Sequence, residues 1–508
     1  MDRISNLPPH IIHQIMSHLS TKQVAQTTLL SKQWKDYLRP SFPILVFSHF
    51  DFIDFKEEEQ EDCLHYLHQR LFKLYRHKFE GSVKGFTELV DATLDRFCKM
   101  KLRMYEFKLI IGTTGNSESW SCLVDKWIGL ALEHQVKDLT LQIFHKQLYL
   151  LPETAFSTKS ITNLRLYNCK LNHPSATNAF KFHSLQKLEL VRVDLDELMI
   201  QRLTRDSPLL EVIELKHCQG FENCHVPELL RLRKFSMTTD ELISIQIEAP
   251  NLHYFYLLCF ELQRPLSGIN NSPNLRFLSL CGNLIADDHT FQDLISKFPL
   301  LEYLAVMICD TLRKVTISSK SLKKLKFSEC NELEAVHIDT PNLLEFYFNC
   351  TQVPIVSINA PCPWEICFRT WGEVDIHWYL KLKKFLGTSN HIQKLSIPYF
   401  ETMHSFNFQE FRQGSSSRPL EIQDLRFLIT TEDAEGAAML DGYFSRIYET
   451  LEARRDVDCC SDSSVKCWRH YLKDVKFLSF EGGFIDFDKA WPNLPEGVVH
   501  FALEWEEA

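Results

Sequence analysis

Three short clusters in this chain of 508 residues carry side chains that could do chemistry. His65 and His68 stand three apart with Asp62 one turn before them, on a stretch with helical spacing, so the three could share a face and ligate a divalent metal. Their surroundings, Glu57-Glu58-Glu59-Gln60-Glu61, read equally as the solvated face of an acidic helix, and that plainer reading is preferred. Asp287-Asp288-His289 also offers ligand types, but it directly precedes an amphipathic segment, where an aspartate caps a helix. Ser321-Leu322-Lys323-Lys324 matches S-x-x-K, yet it sits at a strand-like repeat and not at the start of a helix. The chain has no G-x-S-x-G, no P-loop and no Cys-x-x-Cys grid. The expectation is a protein with no catalytic residue, no metal and no cofactor.

Composition narrows the class further. The net charge is −10 with no basic block, which argues against a nucleic-acid partner. Only 16 glycines occur in 508 residues, well under the usual ~7%, so Gly-rich phosphate loops are not expected. No apolar run approaches the ~18 residues of a membrane span, and no signal segment opens the chain. Its 16 cysteines are scattered, which suits reduced thiols in the nucleus or cytoplasm. No membrane partner is expected.

The elements that position everything else are short strands. A pattern L-x-x-L-x-L, with Ile, Val, Phe or Tyr substituting, starts at Val136, Ile161, Leu185, Leu210 and Leu232, in steps of 25, 24, 25 and 22 residues. It starts again at Leu242, Leu252 and Leu275. From Leu301 it continues through Leu312, Leu322, Leu333, Leu343 and Val353, in steps of 11, 10, 11, 10 and 10. A ten-residue step is too short for a strand, a turn and a helix. Alternate strands there must lie on opposite faces, with Ala249-Pro250-Asn251, Thr340-Pro341-Asn342 and Ala360-Pro361 as corners. Cys169, Cys218, Cys309 and Cys330 fall where such repeats place Asn or Cys, a structural role. Helices are expected at Glu57–Lys78, Phe86–Met100, Ser119–His134, Asp196–Arg205, Thr290–Lys297 and Ala434–Glu452. The pattern loosens beyond Pro361, and Gln413–Arg418 reads as a surface loop.

Residues Ile4–Leu38 stand apart. Pro8 opens a helix along which Ile11, Ile12, Ile15, Met16 and Leu19 form an apolar stripe. Ser20 and Gln23 make a capping box for a second helix, and Ser31 caps a third that carries Trp34 and Leu38. Such a piece is too small for a core of its own, so it must also pack on Phe42–Phe47 or on a partner. Leu7-Pro8, the Ile11/Ile12/Ile15/Leu19 stripe and Leu29-Leu30-Ser31-Lys32-Gln33-Trp34 together resemble the plant-type F-box, although His10 stands where that family usually has an acid. Trp127-Ile128, Leu151-Pro152, Trp468-Arg469-His470-Tyr471 and Leu503-Glu504-Trp505 are similar to plant F-box/leucine-rich-repeat proteins.

The resemblance implies an α/β fold: a three-helix F-box over residues 1–40, a helix-containing lead-in over 41–135, a curved leucine-rich-repeat solenoid over 136–400 and a capping region over 401–508. It implies a non-catalytic substrate receptor of a cullin–RING ubiquitin ligase. The box would bind a Skp-type adaptor, and through it a cullin, by Leu7, Pro8, Ile11, Ile15, Leu19 and Trp34. The repeat surface would bind a protein substrate. In L-x-x-L-x-L the residue between the last two leucines and the one after them point away from the core. That selects pairs such as Thr140 and Gln142, Arg165 and Tyr167, Glu189 and Val191, and Glu214 and Lys216. Tyr167, Tyr256, Leu258, Met307 and Tyr347 are the expected anchors. Arg165, Lys216 and Lys326 are set against Glu189 and Glu214, too few cations for a bound polyphosphate of the kind some related hormone receptors hold.

Overall fold

The computed structural model describes residues 4, 7–19, 21–39, 41–53, 73, 76–113, 117–172, 182–264, 266, 269, 271–359, 362–368, 376–386, 392–399, 422–429, 472–478 and 498–505. Its contacts form two compact units, Met1–Ser272 and Pro273–Ala508. His65, His68 and Asp62, the loop at 413–418 and the expected helix at 434–452 lie outside the described residues.

The first unit begins with the box. Helix α1 (Pro9–Ser17) starts one residue later than expected, because Pro8 sits extended at its N-cap with φ −55° and ψ 140°. Helix α2 (Thr21–Gln26) runs into a 3₁₀ turn at Thr27–Leu29. Ser31 then caps a wide π-type turn, Trp34–Leu38, by accepting from the Trp34 amide at 3.4 Å. Ile12, Met16, Val24, Trp34, Leu38 and Phe42 form one core, with Leu19 and Ile44 packed against it. The five-residue stripe on α1 therefore splits. Ile12, Met16 and Leu19, spaced by four and three, turn inward, while Ile11 and Ile15 lie about 100° round the helix. His13 Nε2 lies 3.2 Å from both Leu38 O and Ser41 Oγ and ties α1 to the end of the third segment.

Beyond the box come strand β1 (Ile44–Ser48), helix α3 (Arg76–Lys99), strand β2 (Glu106–Gly112) and helix α4 (Ser117–Glu133). The sequence pattern breaks between Lys78 and Phe86, yet α3 continues unbroken through that gap. Gly81 and Gly85 weaken the local helical signal there, but Phe79 and Phe86 are both buried and hold the segment down. Asp91 joins α3 to α4, accepting from Lys126 Nζ at 2.7 Å and Trp127 Nε1 at 2.9 Å.

The repeats of this unit are β3 (Asp138–Phe144), β4 (Tyr149–Leu150), β5 (Asn163–Tyr167), β6 (Cys169–Lys170), β7 (Lys187–Val191), helix α5 (Glu197–Arg205), β8 (Val212–Lys216), β9 (Asn223–Val226), β10 (Lys234–Leu242), β11 (Ser244–Ile247) and β12 (Tyr254–Leu262). Strands β1, β2, β3, β5, β7, β8, β10 and β12 pair in that order, all parallel. Strands β9 and β11 make a separate parallel pair.

The second unit holds β13 (Phe277–Cys281), helix α6 (Asp288–Ser296), β14 (Tyr303–Met307), β15 (Lys314–Ser318), β16 (Lys324–Ser328), β17 (Ala335–Asp339), β18 (Glu345–Cys350), β19 (Ile355–Asn359) and β20 (Trp364–Phe368). After these come helix α7 (Ile376–Leu386), β21 (Ile392–Tyr399), β22 (Asp424–Ile429), β23 (Leu472–Leu478) and β24 (Val498–Trp505). Here the short steps behave as expected. Strands β14, β16 and β18 pair in the main sheet, and β15, β17 and β19 form a second parallel sheet. At the corners, Asn251 Nδ2 in the first unit donates to Leu230 O at 2.9 Å and Asn342 Nδ2 in the second donates to Lys320 O at 2.8 Å. The parallel run ends in an antiparallel ribbon, β22–β24–β23.

The repeat cysteines work as the spacing suggests. Each follows a residue in the left-handed region, at Asn168, His217, Ile308 and Glu329, with φ between 51° and 58°. There the chain leaves the strand sharply, and the next thiol is driven inside. Cys218 Sγ donates to Leu190 O of the preceding repeat at 3.5 Å, and Cys330 Sγ donates to Val306 O at 3.6 Å. Burial pushes the Cys169 and Cys218 thiols up to about 12 and about 11, so they stay protonated. Asn168 Nδ2 donates a hydrogen bond to Ile143 O at 2.8 Å, a rung the sequence pattern did not single out.

Two substitutions test the turns in opposite directions. Ile308 is β-branched at φ 53°, so Ile308→Asn should stabilise the protein by about 1 kcal/mol. Gly220 has φ 97°, and a Cβ there would meet Asp194 Oδ1 at 2.7 Å and Leu195 O at 2.8 Å. Gly220→Ala should therefore destabilise by about 2 kcal/mol or more. Chemical denaturation of the two variants beside the parent reads both.

Candidate functional site

The box presents apolar side chains that its own core does not cover. Leu7 is 38% exposed and Ile15 41%, and Pro8 is also at the surface. Ile11 is half-buried, and Leu19 is half-buried against the core. Trp34 corrects the expected set, because at 2% exposure its indole is part of the box core and has no free face to offer. Leu29 at 85% and Leu30 at 60% are far more open, and the sequence reading did not name them as contacts. A signal for them was present: two adjacent leucines beside a cap cannot both lie on one helical face.

In the first unit the parallel register stacks the outward positions into rows. One row runs Lys108, Thr140, Arg165, Glu189, Glu214, Ser236, Tyr256, and the next runs Ile110, Gln142, Tyr167, Val191, Lys216, Thr238, Leu258. Ser236 and Thr238 belong to these rows although the expected pairs omitted them. The charges pair across strands. Glu189 lies 3.5 Å from Arg165 and 3.7 Å from both Lys187 and Lys216, and accepts from Tyr167 Oη at 3.0 Å. Glu214 accepts from Lys216 and Lys234 at 2.9 Å each. Burial opposes ionisation of Glu214, but the two lysines outweigh it and bring its carboxyl down to about 2. The Lys216 ammonium is raised in turn, despite burial, by Glu214 and Glu189. These cations are spent on carboxylates of the same sheet.

The second unit shows a different face. Its rows run Ser279, Ala305, Lys326, Tyr347, Glu365 and Cys281, Met307, Ser328, Asn349, Cys367. Ser279, Cys281, Ala305, Ser328, Asn349 and Cys367 are buried, a floor of small and amide side chains. Met307 and Tyr347 stand above it half-buried, with Lys326 Nζ 5.0 Å from the centre of the Tyr347 ring. Of the five expected anchors, Tyr167, Tyr256 and Leu258 lie half-buried on the first unit's face, and Met307 and Tyr347 lie on the second's.

The other chemical candidates have structural roles. Asp287 is the N-cap of α6, accepting from the amide and hydroxyl of Thr290 at 2.7 Å each. Asp288 accepts from the amides of Arg313 and Lys314 at 2.8 and 3.0 Å, which clips α6 to the next coil. Ser321 Oγ donates to Pro299 O, and Lys324 pairs with Glu345, so the two are not a nucleophile and its base. Among the described residues no group of three or more His, Cys, Asp or Glu side chains is placed to hold a metal. None of the described helices is long and apolar enough to cross a membrane.

A small helical box followed by stacked parallel strands with cysteine and asparagine rungs defines a leucine-rich-repeat protein with an N-terminal helical domain. Comparison with known families agrees. Residues 4–40 match the F-box domain, 98–263 the leucine-rich-repeat domain of At1g61320/AtMIF1, and 230–361 the leucine-rich repeats of the FBD-associated F-box protein At5g56370. The chain is 27% identical over 268 residues to F-box/LRR-repeat protein At3g58900 of Arabidopsis thaliana, across 50% of this chain and 72% of that one. It is 25% identical over 504 residues to the putative F-box/LRR-repeat protein At4g00320 of the same plant, across 96% and 83%. With other relatives, such as F-box protein At3g03040, the match covers about half of the relative, 54%. The chain thus carries an F-box followed by leucine-rich repeats, the make-up of the plant F-box/leucine-rich-repeat proteins to which it is similar.

The Glu214 network makes a pH prediction. A carboxyl lower in the folded state than its ordinary value stabilises the fold above that ordinary value. The contribution is lost as pH falls from about 4.5 towards 2. Glu214→Gln should cost about 1–2 kcal/mol near neutrality and flatten that part of the acid unfolding curve. Equilibrium unfolding at stepped pH measures both.

Proposed function

We propose that this protein is the substrate-recognition adaptor of a Skp–cullin–F-box ubiquitin ligase, a subunit that performs no chemistry itself. The box docks on a Skp-type adaptor, which in turn reaches a cullin, and the outward faces of the repeat sheets hold a protein to be ubiquitinated. The observation that carries this reading is the box surface. The segment completes its own core with Trp34 and Phe42 and still leaves Leu7, Ile15, Leu29 and Leu30 open to solvent. Exposed leucines on so small a piece are costly unless a partner covers them. The family match over residues 4–40 supports the same conclusion. On the repeats, the Tyr, Leu and Met side chains among paired charges suit a protein partner, with aromatic anchors inside a polar surround. The work of such a receptor belongs to the nucleus, the cytoplasm or both.

Purified full-length protein should bind a Skp-type adaptor in a pull-down and by calorimetry. Ile15→Asp combined with Leu29→Asp and Leu30→Asp should weaken that binding at least a hundredfold with little change in melting temperature, since all three side chains are exposed. Trp34→Ala should act differently, lowering the stability of the box itself by about 3 kcal/mol or more. Failure of the parent to bind the adaptor would sink the proposal. Adaptor binding without cullin co-purification would point to a scaffold or small-molecule receptor outside the ligase.

A further inference from the structure

Behind the box lies a cleft that the docking reading does not use. It has a volume of about 250 Å³ and is lined by Thr28, Lys35 and Arg39 of the box, Leu45 of β1, and Leu89, Thr93, Arg96 and Phe97 of α3. Three of its eight lining residues are cations and none is an acid. Among the described residues no carboxylate pairs with Lys35, Arg39 or Arg96. On the sheet of the same unit, half-buried lysines each meet a glutamate within 4 Å. Here two guanidiniums face a shared space, and burial together with the Arg96 charge lowers Arg39 below the usual arginine value. Arg39 is half-buried there, Lys35 and Arg96 are exposed at its edge, and no acid is among the residues lining the space.

We infer that this cleft binds a small phosphorylated ligand, whose phosphoryl group is held by Arg39 and Arg96 with Lys35 at the rim. A dianionic phosphoryl group presents several acceptor oxygens, which suits two planar guanidinium forks better than a carboxylate does. Leu45, Leu89 and Phe97 line the rest of the cleft, so the ligand carries an apolar body next to its phosphate. The cleft is walled by the box on one side and by α3 on the other, both within the first unit. An occupant therefore bridges the two and stiffens the join between the docking box and the repeats. The inference does not depend on the ligase reading, because it concerns a face walled by α3 and needs no adaptor.

The test uses full-length protein at constant ionic strength, with sodium chloride, inorganic phosphate or phenyl phosphate added. Binding is followed by calorimetry and by melting temperature. Saturable binding is expected for phosphate, and binding at least several-fold tighter for phenyl phosphate, each with a rise in melting temperature. Arg96→Gln, on the surface of α3, should weaken phosphate binding about tenfold or more. It should also leave the melting temperature in chloride unchanged or higher, because it removes a like charge from Arg39. Arg39→Gln should weaken binding to the same degree, and Lys35→Gln by a smaller factor. The inference is overturned if neither phosphate compound binds saturably, or if Arg96→Gln binds as the parent does. Adaptor binding by Arg96→Gln should be unaffected, so loss of one function and loss of the other are separately visible.

Discussion

A five-residue strand with two inward aliphatic side chains cannot bury them by itself, and this protein is organised around that fact. Each repeat strand becomes stable only when the next one stacks on it in parallel register, as Leu164 and Leu166 of β5 do against Leu188 and Leu190 of β7. The turn that follows each strand must then return the chain without leaving polar backbone unpaired. Left-handed residues at 168, 217, 308 and 329 make the turn, and the amide of each bonds the next strand, as His217 N does to Thr238 O at 2.6 Å. The cysteine after each is consumed by packing. Three of these thiols, Cys169, Cys218 and Cys330, bond backbone carbonyls, and the fourth, Cys309, meets the Thr311 hydroxyl.

The same stacking controls electrostatics. Parallel register sets outward side chains of neighbouring strands side by side, so Arg165, Glu189, Glu214, Lys216 and Lys234 neutralise one another along the sheet. A surface built this way has little long-range pull on a polyanion and offers local, shape-dependent contacts instead. The cleft beside the box is not under that discipline. Its cations come from the third segment of the box and from α3, elements that meet edgewise with no shared register, and no acid is delivered opposite them.

The box shows how a small domain divides one apolar stripe between a buried side and an exposed side. Ile12, Met16 and Leu19 close on Trp34, Leu38 and Phe42, and this internal core is what lets the remaining leucines stay outside. The indole of Trp34 looks like an ideal docking anchor in sequence, since aromatics dominate interfaces. It is instead the largest piece available to fill the middle of three short segments, and the core takes it.

Much of this was legible in the residues alone. Strand positions, the ten-residue steps that demand strands on two faces, the Asn corners, the Ser31 cap and the family resemblance all follow from spacing and residue type, which are local properties of a chain. The helix over Arg76–Lys99 was not, because Phe79 and Phe86 hold it together by tertiary burial across a stretch whose glycines argue for a break. The choice between Ile15 and Ile12, the burial of Trp34, the openness of Leu29 and Leu30 and the company kept by Arg39 and Arg96 also required the folded structure. Sequence determined which residues form each element and which side chains alternate. Only the tertiary structure decided which apolar side chains are covered and which charges are matched, because burial and pairing depend on what arrives from tens of residues away.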